Sequence, residues 1–123
     1  MQFAINRLDM SSVDAFARSA AKTESLGWGY GLIPCSPLLV RDPYVLLAFA
    51  ARATQRIVLG TLLDTPVMRH PAARASSIAT VAELAPGRTL LGLATSQMRV
   101  VASPPAVAAN VPSGEKQPCC NPT

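Results

Sequence analysis

The run Ile57-Val58-Leu59-Gly60-Thr61-Leu62-Leu63 decides the fold of this chain. It is almost continuously apolar and follows the polar pair Gln55-Arg56. Such a run suits a strand covered on both faces, as in a parallel sheet flanked by helices. Downstream, His70-Pro71 opens a helix with Ala75, Ile78, Ala79 and Ala82 on one stripe. Ala85-Pro86-Gly87 ends that helix, because proline cannot continue the ladder and glycine accepts a left-handed turn. Thr89–Leu93 then forms another buried strand.

The same alternation extends upstream. Asp42-Pro43 is a helix start in which the carboxylate caps and proline takes the first helical position. Tyr44 through Thr54 fill that helix, and Gly29–Ile33, closed by Pro34, is the strand before it. Ser11 and Ser12 offer capping hydroxyls, with Asp14 in the first turn where the helix dipole favours it. Val13, Phe16, Ala17 and Ala20 follow at helical spacing, Gly27 supplies the stop, and Gln2–Ile5 forms a first strand. The strands recur at roughly thirty-residue intervals, the size of a βαβ unit with a right-handed crossover. The fold class is therefore α/β with a parallel sheet.

Composition bounds the rest. The 123 residues suit one domain and fall well short of a complete (β/α)₈ barrel, which takes about 250. At 50% hydrophobic residues the chain is too apolar to be wholly disordered. Lys+Arg 11 against Asp+Glu 7 gives a net charge of +4, but the arginines are spread singly and only 5% of residues are aromatic. A nucleic-acid surface would cluster its cations and interleave aromatics, so no such partner is expected. The longest apolar candidate, Tyr44 to Ala51, stops at Arg52, short of the ~18 residues of a membrane span. Without a basic start leading into an apolar stretch, no secretory leader is expected either, and a cytoplasmic location is the default. Cys35 and the pair Cys119-Cys120 make neither a disulfide framework nor a zinc spacing, and His70 is the sole histidine, so no metal is expected. Residues 1–96 read as the folded domain. Residues 97–123 hold Pro104, Pro105, Pro112, Pro118 and Pro122 around Ser113-Gly114 and read as a low-complexity, disordered tail.

In parallel α/β folds ligands meet the carboxyl ends of the strands. The candidate loops are Pro34–Arg41, Asp64–His70 and Ala94–Arg99, and their reactive groups are Cys35, Ser36, Asp64, Thr65, Arg69, His70, Thr95, Ser96 and Gln97. They hold no phosphate-binding glycine loop, no paired carboxylates and no nucleophile with an evident base. Gly27-x-Gly29-x-Gly31 has the wrong spacing for a dinucleotide fingerprint. Two readings of Asp64 stand: a hydrogen bond to a heterocycle or a ribityl hydroxyl, or turn formation before Pro66. Two also stand for His70: a residue at the mouth of the third helix, or a ligand-facing imidazole. Cys35 reads as a small packed side chain.

Leu26-Gly27-Trp28, Arg41-Asp42-Pro43-Tyr44-Val45 and Arg56-Ile57-Val58-Leu59-Gly60-Thr61 carry a further signal. With Pro66-Val67, Arg69-His70-Pro71-Ala72, Ile78-Ala79-Thr80, Glu83-Leu84, Pro86-Gly87-Arg88 and Leu91-Gly92-Leu93, they match a family in order and spacing. The chain resembles the bacterial luciferase-like flavin- and F420-dependent oxidoreductases over roughly residues 10–96. The resemblance implies a (β/α)₈ barrel with FMN or F420 at its carboxyl face, and the DPYV-type helix is closer to the F420-using branch. It also implies a bulge and an unusual peptide against the cofactor ring at the end of strand three. The matching positions here are Leu62, Leu63 and Asp64, with Thr65 beyond, and Thr95 matches the contact after strand four. Ser36 and His70 are the positions that would face substrate or cofactor.

Cys35 stands before Ser36 where the family tends to place an acid, and Ala94, Ser96 and Gln97 replace glycines and an acid. The match covers four strands and three helices, so the expectation is a parallel half-barrel, the truncated N-terminal half of a flavin- or F420-dependent oxidoreductase. The isolated chain is then not expected to bind F420 or FMN at micromolar concentration. One alternative is a split half-barrel that gains its site by pairing with itself or with a complementary half-barrel chain. The other is a non-catalytic α/β interaction module.

Overall fold

A computed structural model describes residues 2–36, 39–94 and the backbone of 98–101. Strand β1 spans Ala4–Asn6, helix α1 Val13–Ser25, β2 Tyr30–Ile33, α2 Pro43–Ala53, β3 Val58–Asp64, α3 Pro71–Leu84 and β4 Thr89–Ala94. A single 3₁₀ turn, Pro66–Met68, precedes α3, and β5 follows at Met98–Val101. The sheet order is β1-β2-β3-β4-β5. The first four strands are parallel, through pairs such as Ala4 with Tyr30, Tyr30 with Val58, and Leu59 with Thr89. Four parallel strands and three helices make the expected (β/α) half-barrel.

The helices start where side chains satisfy their free N–H groups. The Ser12 hydroxyl accepts from Ala15 N, and the Asp42 carboxylate accepts from Tyr44 N and Val45 N. His70 does the same for α3, its Nδ1 accepting from Ala72 N at 3.2 Å. Gly27 and Gly87, at φ +86° and +70°, take the left-handed turns after α1 and α3 that disfavour a side chain.

Between the helices and the sheet lies one core, with Ile33, Leu46, Leu47, Ile57, Leu59 and Val81 buried. Each such side chain contributes about 1.5–3 kcal/mol by leaving water. At the amino end of the sheet, the Glu24 carboxylate of α1 accepts from the backbone N–H groups of Gln55, Arg56 and Ile57. Arg88 donates to the carbonyls of Thr54 and Ile57 in the same turn. The turn from α2 into β3 is thereby gripped from both sides.

Two expectations change. The stripe of Ala75, Ala79 and Ala82 is not what α3 buries; Ala75 and Ala79 are exposed, and Arg74, Ile78 and Val81 face inward. The helix is turned by one residue because Arg74 finds an ionic partner in the interior. Residues 97–123 were expected to hold no strand, yet Met98–Val101 pairs antiparallel with β4, Leu91 opposite Val101 and Ala94 opposite Met98. The short run Met98-Arg99-Val100-Val101 gains backbone bonds from the free edge of β4, a non-local partner that local pattern does not report. Residues 102–123 lie outside the described residues. No helix among those described is long and apolar enough to cross a membrane.

Candidate functional site

The carboxyl ends of β2 and β3 meet around an irregular end of β3. From Thr61 to Asp64 the chain takes three steps while its partner β4 takes two, from Leu91 to Leu93. One extra residue is therefore accommodated as a bulge. The Leu62–Leu63 peptide within it is cis. This is where the resemblance implied a bulge and an unusual peptide.

The carbonyls of this segment are held from several directions. Asn6 Nδ2 donates to Leu62 O at 3.3 Å, and Cys35 N donates to Leu63 O at 3.2 Å. Thr65 O accepts from Met68 N at 3.1 Å and from Arg74 Nη2 at 2.9 Å. Beneath the bulge the Asp64 carboxylate is buried, and its Oδ2 accepts both the Tyr44 hydroxyl and Arg74 Nε, each at 2.6 Å. The side chains of Asp64 and Arg74 are each only 6% exposed. Arg69 lies over the Tyr44 ring, its Cζ 4.7 Å from the centroid. It donates to Ser77 Oγ and pairs with Asp42, the residue that caps α2.

Burial and the neighbouring carboxylates govern the proton chemistry here. Burial, then the charges of Asp64 and Asp42, pushes the Cys35 thiol up to about 12, so it stays protonated at neutral pH. Burial and the hydrogen bond to Asp64 raise the Tyr44 phenol above the ordinary tyrosine value. Neither group is an available base or nucleophile near pH 7.

Leu62, Leu63, Thr65 and Ser36 come together here half-buried, at the ends of β3 and β2. The Asp64 carboxylate joins them in sequence but is turned into the interior, occupied by Tyr44 and Arg74 rather than free for a ligand. His70 is an exposed helix cap. Thr95 lies outside the described residues. Tyr44, Arg74 and Asn6 belong to the cluster although sequence reasoning did not single them out. For Arg74 a signal existed: it sits four and seven residues before Ile78 and Val81, on the helical face that carries the core.

The F420-dependent glucose-6-phosphate dehydrogenase of Beutenbergia cavernae is 44% identical over 52 residues, 42% of this chain and 16% of that protein. The F420-dependent hydroxymycolic acid dehydrogenase of Mycobacterium tuberculosis is 41% identical over 56 residues, 45% of this chain and 16% of its own length. Among solved structures, the coenzyme F420-dependent tetrahydromethanopterin reductase of Methanopyrus kandleri superposes with a TM-score of 0.70 at 29% identity, covering 75% of this chain and 26% of that one. The oxygenating constituent of 3,6-diketocamphane monooxygenase from Pseudomonas putida, in complex with FMN, shares the fold at a TM-score of 0.67 and 23% identity. It matches 89% of this chain and 32% of that one. The chain thus spans about a third or less of each of these proteins. The family model for luciferase-like monooxygenases covers residues 2–107, and by that match the chain belongs to the luciferase-like monooxygenase family.

Proposed function

We propose that this chain supplies the cofactor-ring half of an oxidoreductase site that uses F420, with FMN as the second choice. The observation that carries the reading is the bulge at Leu62–Asp64, held at the carboxyl end of a parallel sheet by Asn6 and Cys35. The residues present fit such a ring: Leu62 and Leu63 are half-buried apolar side chains beside a fixed backbone, which suits a flat heterocycle. When bound, the cofactor supplies hydride-transfer chemistry; the chain binds, orients and shields it. Ser36, next to Cys35, and Thr65, next to Asp64, are the polar residues beside the bulge. F420 is preferred because the dehydrogenases with which the chain shares 41–44% identity are F420-dependent.

In the split half-barrel reading, the remaining wall of the site comes from further strands on a second copy or on a companion half-barrel. Among the described residues β1 is an edge strand, open to pairing, while β5 occupies the outer edge of β4. A completing half therefore adds at β1 or displaces β5. The test is a titration of the isotopically labelled chain with F420 and FMN, followed by amide NMR. Half a site binds weakly, so shifts are expected only at millimolar cofactor, clustered on Ser36 and Leu62–Thr65. Absence of shifts at those residues, or shifts centred elsewhere, overturns the reading.

A further inference from the structure

We infer that Tyr44, Asp64 and Arg74 form a positioning device for the β3 bulge, setting the peptide planes that the proposed cofactor ring would meet. The inference rests on the functional reading for its consequence, but its structural half stands alone.

Three observations carry it. First, the trio joins three elements: Tyr44 in the first turn of α2, Arg74 in the first turns of α3, and Asp64 at the end of β3. Second, Arg74 makes a fork whose two prongs reach consecutive residues. Nε donates to the Asp64 carboxylate and Nη2 to the Thr65 carbonyl, so one guanidinium fixes a side chain and the carbonyl of the next residue. Third, the network is almost fully buried. A buried ion pair gives up hydration that its mutual attraction barely offsets, and apolar residues of similar volume are often as stable or more so. Arg74 and Asp64 occupy the interface between helix layer and sheet, where leucines would serve stability equally well. What the charged arrangement adds is direction. Asn6 and Cys35 hold the Leu62 and Leu63 carbonyls. Arg74 holds the Thr65 carbonyl just beyond it, so the bulge is tied on both sides of Asp64.

The test compares the full-length chain with the triple variant Y44F/D64L/R74M, which replaces the network by apolar groups and keeps the ring beneath Arg69. Its thermal midpoint is expected to stay near that of the wild type. The amides of Cys35 and Met68, which report on the Leu63 and Thr65 carbonyls, are expected to exchange about tenfold faster. Those of Val58 and Leu59, lower in the sheet, are expected to be unchanged. Unchanged exchange at Cys35 and Met68 overturns the inference, as does an equal rise at all four amides. The conservative variant R74K, which keeps the charge without the fork, is expected to retain protection at Cys35 and lose it at Met68. Cofactor-induced shifts at Leu62–Thr65 are expected to need about tenfold more cofactor in the triple variant. If the wild type shows no cofactor shifts, the functional reading fails while the exchange data still decide the positioning role.

Discussion

The Glu24 carboxylate, on the last turn of α1, accepts the backbone N–H of Ile57 at 2.8 Å, at the threshold of β3. Arg56 N donates to the same oxygen, and Gln55 N to both. Burial pushes the Glu24 carboxyl upward, but the three amides and the Arg56 charge together hold it below its ordinary value of 4.5. A lowered native pKa means stability present above 4.5 and lost as the pH falls through the native value. Glu24→Gln is expected to cost about 1–2 kcal/mol at pH 7, discounted for its partial exposure, and much less in acid. Urea titrations of both proteins at neutral and acidic pH measure the convergence; parallel curves refute it.

Arg88 grips the same turn through the Thr54 and Ile57 carbonyls, so its effect should not add to that of Glu24. Arg88→Ala is expected to destabilise by about 1–3 kcal/mol. In a double-mutant cycle with Glu24→Gln the coupling should reach about 0.5 kcal/mol or more, since both variants release one turn. Strict additivity in denaturant unfolding would disprove the shared clamp.

Gly60 and Gly31 lie in adjacent strands and predict opposite outcomes. A Cβ at Gly60 would overlap the Leu90 carbonyl oxygen, a backbone atom with nowhere to move. Gly60→Ala is expected to lose about 3 kcal/mol. A Cβ at Gly31 meets only the ends of Ile57 and Leu59 at 3.3 and 3.4 Å, beside a cavity lined by Ile5, Phe16 and Ala20. Gly31→Ala is expected to stay within about 1 kcal/mol of the wild type. Thermal melts rank the two, and equal losses would refute the distinction.

His70 serves α3 as a cap. His70→Asn retains an acceptor there and is expected to be neutral, while His70→Ala should lose about 1 kcal/mol. If His70→Asn destabilises as much as His70→Ala, the capping role is refuted.

Cys35 should be chemically quiet. With its thiol pushed up to about 12, first by burial and then by Asp64 and Asp42, almost no thiolate exists at pH 8. In a Cys119→Ser/Cys120→Ser background, alkylation by iodoacetamide should be at least about a hundredfold slower than for free cysteine. Denaturant should restore the ordinary rate. A fast native reaction would refute the account.

Much of this protein was legible from local chemistry. Asp42-Pro43 and His70-Pro71 name their own helix starts, because a cap and a proline act within one turn. The apolar run through Leu63 names a strand for a similar reason, and β3 forms there over Val58–Asp64. The third helix was placed correctly in the chain but rotated wrongly about its axis. Alanines outnumber larger groups on it, and small side chains give a weak facial preference. The strand at Met98–Val101 was hidden because its stability lies in a neighbour’s free edge. Leu62 and Leu63 were reached through family resemblance; their own chemistry is unremarkable.

The sequence by itself determined the order of the first four strands and three helices, their caps and stops, and the family. These follow from interactions between residues a few positions apart, or from motifs in fixed order. Only the tertiary structure decided what Asp64 does. Its two readings were a ligand contact and a local turn, and the fold supplied a third. Tyr44, twenty residues before it, and Arg74, ten after, converge on one carboxylate oxygen. A buried charge must be paired, and its partners are chosen by which elements pack against it in space.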